Sequence, residues 1–129
     1  SPDDTLYIIE VKDFRSSVRT KEMPLDQELI LKVCWTMSVL LPASMRSNSP
    51  EEAEFARMAL RALNVRVVAH IEHHRFGRKL FNPQLELFNL TQKLRQRLKP
   101  VDPHPMVVDA ELTALRPLGW TVELLPHEA

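Results

Sequence analysis

The 129-residue sequence is short of several things at once: two glycines, one cysteine, one tyrosine, 6% aromatic residues and no net charge. With so few glycines there is no glycine-rich loop to bring backbone amides around a phosphate, which argues against a nucleotide-dependent enzyme. A lone Cys34 cannot build a disulfide framework and fits a reducing compartment, so a cytoplasmic protein is expected. Lys and Arg balance Asp and Glu at 17 each, so no global field draws the chain to nucleic acid or to an anionic membrane. Any such binding must come from a local patch. No unbroken apolar run approaches the length of a membrane span, no signal peptide opens the chain, and no membrane partner is expected. No Gly-x-Ser-x-Gly elbow occurs, and Cys34 falls within an apolar helical pattern, so neither supports a nucleophile.

What is present is a globular composition, 44% hydrophobic, in a chain the size of one domain. Its organising stretch is Leu6-Tyr7-Ile8-Ile9-Glu10-Val11-Lys12, apolar and β-branched until charge enters at Glu10 and Lys12. Such a run suits a strand. Alternation puts Glu10 and Lys12 on one face with Leu6 and Ile8, while Tyr7, Ile9 and Val11 share the other. Apolar residues on both faces predict a strand in the middle of a sheet, with the charged pair where burial gives way to a cleft.

Pro24 at a first helical position, Asp26 and Glu28 in the first turn, and Leu25, Leu29, Val33, Met37 and Leu40 at spacings of three and four predict a helix over 24–41. Pro42 is expected to stop it, leaving 43–48 as a loop. Ser49-Pro50-Glu51-Glu52 reads as a capping box opening a second helix whose inner face is Ala56, Ala59, Leu60 and Leu63. A strand follows over 65–72, then a polar loop over 73–79. Asn82-Pro83 opens a third helix with Leu87, Leu90, Leu94 and Leu98 on one face, ending at Pro100. After a proline-spaced turn over 100–105, residues 106–108 and 120–125 read as two short strands. Strands alternating with helices predict an α/β domain, a mixed central sheet flanked by helices.

Glu10-Val11-Lys12 at the end of an apolar strand, followed by Asp13-Phe14-Arg15 and then a long helix and another strand, resembles the signature strand of the PD-(D/E)XK nuclease superfamily. About one acidic-x-Lys triplet is expected by chance in such a chain, so the weight falls on this context. The resemblance covers roughly the last half of the family core and implies a restriction-endonuclease-like fold. It also implies a Mg²⁺- or Mn²⁺-dependent nuclease acting on DNA or RNA, of a kind found within larger DNA-processing or defence proteins. In that reading Glu10 and the carbonyl of Val11 bind the metal, and Lys12 orients the attacking water or stabilises developing charge on the phosphate. The family also places a metal-binding Asp on a preceding strand. Asp3 and Asp4 lie too close to Glu10 for a strand, a turn and a return. The missing ligand is therefore either upstream sequence, in the remainder of a longer polypeptide or a second chain, which is the favoured reading, or Asp3 or Asp4 reaching in from a turn.

Gln27, Glu28 and Lys32 lie early on the following helix, where the family often adds accessory groups. Arg15 and Arg19 near the motif, and Arg75, Arg78 and Lys79 beside Phe76 in the polar loop, are candidate nucleic-acid contacts. His70, Glu72 and His74 alternate on one strand face and could hold a transition metal such as Zn²⁺, but three ligands so close on one strand seldom converge, and a solvated strand end is the favoured reading. Lys93, Arg95, Arg97 and Lys99 suit the dipole at a helix end and need no further role. The competing function is a non-catalytic α/β interaction or assembly module with a degenerate nuclease-like fold. Either could act as a homodimer.

Overall fold

The structure, a computed structural model, describes residues 4–15, 22–72 and 83–115. In chain order the elements are β1 (Thr5–Asp13), α1 (Leu25–Arg46), α2 (Pro50–Leu60), β2 (Asn64–Glu72), α3 (Pro83–Leu98), β3 (Met106–Val108) and α4 (Ala110–Leu115). The three strands form one sheet in the order β1-β2-β3, and both pairings are parallel. The α/β class holds. The expected mixed character does not appear among the described strands, and the segment 120–125 lies outside the described residues.

β1 and β2 run in register from Thr5 opposite Asn64 to Asp13 opposite Glu72. Each helical crossover steps the same way along the sheet, which puts connections of one hand on one face. The core agrees: Leu29 and Val33 of α1 and Leu87, Leu90, Leu94 and Leu98 of α3 are buried together with Ile8, Val67, Ala69, Ile71 and Val107 of the strands. The leucine spacing of α3 therefore does what its period implies.

Three expectations need correcting. The central strand is β2, buried from Val67 to Glu72. β1 has β2 as its one described neighbour, and its Tyr7, Ile9 and Val11 face is exposed, Val11 by 62%. An apolar face on a strand is thus no guarantee of burial.

Pro42 does not end α1. The helix runs on to Arg46, through the stretch expected to be a loop. Pro42 is exposed, so the Ser38 carbonyl it leaves without an amide partner can be hydrated, and a proline on the outer side is compatible with a helix curving over a core. The continued helix has 22 residues and a stretch of mean hydropathy 1.3, long and apolar enough by those measures to cross a membrane. Its charges, Asp26, Glu28, Lys32 and Arg46, interrupt the apolar run in the sequence without lowering its average below that level. Its inner face nevertheless carries Leu29 and Val33 of the core, at 2% exposure each.

At α2 the Ser49 hydroxyl accepts from the Glu52 amide as expected, but the Glu52 carboxylate takes a hydrogen bond from the Ser47 hydroxyl (2.9 Å), not from the Ser49 amide, which instead donates to Ser47 Oγ. Ala53 and Ala56 face inward, whereas Leu60 is exposed in the last turn and Leu63 lies beyond the helix end, exposed as well. The short α4 had no sequence signal beyond Asp109, whose carboxylate accepts from the Leu112 amide as an N-cap.

Asp102 ties the turn after α3 to the start of the buried strand. At 1% exposure it accepts from the Val67 amide (2.9 Å) and the His104 amide (2.9 Å), with Arg66 Nη1 at 3.4 Å. Replacing it leaves two buried or half-buried amides without acceptors, at roughly 1–3 kcal/mol each. Asp102→Ala is expected to destabilise the domain by roughly 2–4 kcal/mol, read as a lower urea midpoint at unchanged slope.

Candidate functional site

The alternation of β1 points Glu10 and Lys12 to the helix-covered face, since their register partners Ala69 and Ile71 are both in the core beneath α1 and α3. Apolar packing fills that face up to Ile8 and Ile71, and charge takes over at the carboxyl end of the strand. In parallel α/β sheets that end is where ligands bind.

There Lys12 Nζ lies 3.0 Å from Glu28 Oε1 and 3.5 Å from Glu10 Oε1. Glu28 comes from the first turn of α1, is buried at 6% exposure, and takes the ammonium as a charge-assisted hydrogen-bond partner. The side chains of Lys12 and Glu10 retain 18% and 29% of their exposure, so the cluster opens to solvent on the Glu10 side. The result is carboxylate, ammonium, carboxylate across a strand end and a helix start. Of the three early-helix residues, the fold brings Glu28 into contact with the motif. Gln27 is exposed, and Lys32 lines a groove of about 170 Å³ with Leu6, Ile8, Glu10, Leu40 and Phe55. Asp26, which sequence reasoning took only as a complement to the helix dipole, is buried at 7% in the same turn.

The backbone adds one oxygen. The Phe14 amide donates to the Glu72 carbonyl (2.7 Å), so in a regular parallel ladder the even-numbered residues of β1 bond to β2. The carbonyl of Val11 therefore points away from β2. Asp4 does not join this group. It precedes the strand, where its carbonyl accepts from the Leu63 amide, and six residues of extended chain put it about 20 Å from Glu10. A turn could have brought it back, but β1 starts at Thr5 and runs straight through to Asp13. As for a metal, the hard oxygens of Glu10, Glu28 and Val11 fit Mg²⁺ or Mn²⁺ in kind. In number they fall short, since no group of three or more acidic, His or Cys side chains gathers among the described residues.

Arg15 is engaged rather than extended. Its Nη2 lies 2.7 Å from Asp13 Oδ2 and its Nε 2.9 Å from Asp13 Oδ1. The hydrogen bond to Asp13 raises its pKa above the ordinary guanidinium value; desolvation works the other way, and the charges of Asp13 and Glu72 add to the rise. To contact a phosphate it would have to give up that pairing. Arg19, Arg75, Arg78 and Lys79 lie outside the described residues, as does His74.

His70 and Glu72 are in register with Val11 and Asp13, hence on the sheet face opposite Lys12. They are not a solvated strand end. Both are buried at 4% exposure, His70 Nε2 lies 2.8 Å from Glu72 Oε1, and the same oxygen accepts from the Ala110 amide at 2.6 Å. Glu72 thus fastens the start of α4 to β2, a structural duty that leaves little of its carboxylate for a metal.

Comparison with known proteins gives one partial likeness. The chain is 28% identical over 96 residues to a cysteine–tRNA ligase of Neisseria meningitidis, an alignment that takes in 68% of this chain and 14% of that protein. The chain thus spans a small part of the relative it matches. No family model matches the chain, and no solved structure matches it.

The two charged groups differ in kind, and unfolding measurements can separate them. Glu72→Ala strands the Ala110 amide and His70 in the interior and is expected to cost roughly 2–4 kcal/mol. Glu10→Ala removes a partly exposed partner at 3.5 Å and should change stability by less than about 1 kcal/mol. A Glu10 variant as unstable as the Glu72 variant would show that Glu10 is a structural residue.

Proposed function

We propose that this domain is a Mg²⁺- or Mn²⁺-dependent nuclease acting on DNA or RNA in the cytoplasm, with the Glu10-Val11-Lys12 strand end as its reacting centre. The observation that supports the reading is the ammonium of Lys12, fixed 3.0 Å from a buried Glu28 beside the more open Glu10 at the carboxyl end of a parallel strand. A lysine that served only to balance charge could sit anywhere on the surface. This one is held in place and left partly open.

Glu10 and the Val11 carbonyl would hold the cation, with a further carboxylate supplied by residues outside the described set, by the remainder of a longer polypeptide or by a second chain. The bound cation would lower the pKa of a water and neutralise phosphate charge. Lys12 would donate to the attacking water or to a non-bridging phosphate oxygen, where positive charge counts most as negative charge develops. Glu28 is a positioning residue. Its carboxylate selects the Lys12 rotamer and holds the ammonium in place. Arg15, once released from Asp13, and the cations Arg19, Arg75, Arg78 and Lys79 would contact the nucleic-acid backbone.

A second reading has its own support. With Glu10 on one side and Glu28 on the other, Lys12 is already balanced by two carboxylates, as in a structural ion cluster. The domain would then be an α/β interaction or assembly module without catalysis. The tRNA in the name of the partly similar ligase makes tRNA one more substrate to offer.

The deciding experiment incubates the protein with Mg²⁺ or Mn²⁺ and duplex DNA, single-stranded DNA, RNA or tRNA. The nuclease reading expects cleavage that EDTA abolishes. It also expects Lys12→Gln, which can still hydrogen-bond Glu28, to lose about 100-fold or more of the rate while its circular dichroism is unchanged. Cleavage by Lys12→Gln at the wild-type rate would remove Lys12 from the chemistry, and no cleavage of any substrate by the wild type would favour the interaction module.

A further inference from the structure

The outer side of α1 is apolar where a surface helix is ordinarily polar. From Val33 to Met45 the helix has no charged residue, and its outward positions are Leu31, Trp35, Ser38, Pro42 and Met45. Leu31 is 56% exposed and Trp35 and Met45 are 69% exposed, with Val39 and Leu41 exposed beside them. The spacing of the five is four, three, four, three. That is the seam of a helix built to pack along another helix, and it lies opposite the core-facing row of Leu29 and Val33.

We propose that the chain forms a homodimer in which α1 packs antiparallel against α1 of a second copy, about a twofold axis beside Ser38. The ends of the seam match about that point. Leu31 and Met45 lie seven residues to either side, so the twofold sets Leu31 of one copy against Met45 of the other, while Trp35, three residues from Ser38, meets the partner helix between Leu41 and Pro42. The small Ser38, with its hydroxyl turned back to its own Trp35 carbonyl, lets the helices approach at the centre. Antiparallel packing also sets the two helix dipoles in opposition.

The area is of the right size. Trp35 belongs to a class that buries about 150–250 Å², and with Leu31, Val39, Leu41 and Met45 the seam offers on the order of 600 Å² of apolar surface. With polar flanks this approaches the roughly 800 Å² per partner of a stable interface, and it stands at the top of the roughly 300–600 Å² that the largest apolar patch of a monomer covers. A lipid surface is the poorer fit. Membrane-surface helices carry Lys or Arg beside the apolar stripe, and none stands between Val33 and Met45. Spanning a bilayer would pull Leu29 and Val33 out of the core.

Sedimentation equilibrium of the full chain, at the highest soluble concentration, is expected to give about twice the 14.9 kDa chain mass. Trp35→Glu with Met45→Glu should halve that mass and leave the circular dichroism unchanged, because both side chains lie outside the core of the single chain, while the urea midpoint loses its dependence on protein concentration. Register is tested with Ser38→Cys in a Cys34→Ala background: mild oxidation should yield a disulfide-linked dimer, whereas Cys34→Ala alone should not cross-link. A monomeric wild type, a dimer indifferent to the two glutamates, or a Ser38→Cys variant that does not cross-link would each overturn the proposal. So would a monomer that floats with phosphatidylcholine or phosphatidylglycerol vesicles through Trp35, which would assign the seam to lipid.

Discussion

Everything in the domain hangs on the unbroken parallel pairing of β1 with β2. Nine residues of each strand face one another in register, and that register decides which charges meet. Because β2 is buried for its whole second half, its last residues cannot be left with unpaired polar groups. His70 and Glu72 therefore pair with each other and with the start of α4 on one face. On the other face Ile71 stays apolar, and Lys12 alongside it turns to Glu28. One sheet end thus presents two charged groups of different character, separated by the thickness of the sheet.

That separation bears on function. A carboxylate that accepts a backbone amide and a histidine in the interior is committed to holding the fold together. A lysine fixed from below by a buried carboxylate, with a second and more open carboxylate beside it, is ordered without being enclosed. Catalytic groups need that combination, because a side chain already held in position loses little freedom on meeting its substrate. Structural ion clusters share the order but gain nothing from the opening.

Much of the architecture was legible in the chain. The leucine period of α3, the Ser49 cap and the switch from apolar to charged at Glu10 are local signals, and local signals survive folding. What could not be read depends on neighbours. Tyr7, Ile9 and Val11 have the composition of a central strand, but no side chain records which strand will lie beside it. Pro42 is a sound stop signal that was overridden because it falls on the outer side of a helix whose inner side is anchored. Leu60 and Leu63 fit a helical face that ends too soon to use them. At the site, Glu10 and Lys12 were visible as a pair, while Glu28 stood out only by position: sixteen residues along the chain from Lys12, it meets the ammonium because α1 is laid on the sheet by Leu29 and Val33. Asp4 failed for the complementary reason, being near in sequence and carried away by an extended backbone.

The parallel pairing also sets an order in time. Between the start of β1 and its partner in β2 lie the whole of α1 and α2, so these two strands cannot pair until both helices and the strand after them have been synthesised. Pairing of such distant segments is slow relative to helix formation, whereas α1 and α2 are sequence neighbours and pack closely on one another. On the ribosome the helical pair therefore comes first. During that interval Leu29 and Val33 are as bare as Trp35 and Met45, and α1 offers apolar surface on two opposite sides. The period of greatest exposure to chaperones, or to another emerging copy, is thus written into the strand order.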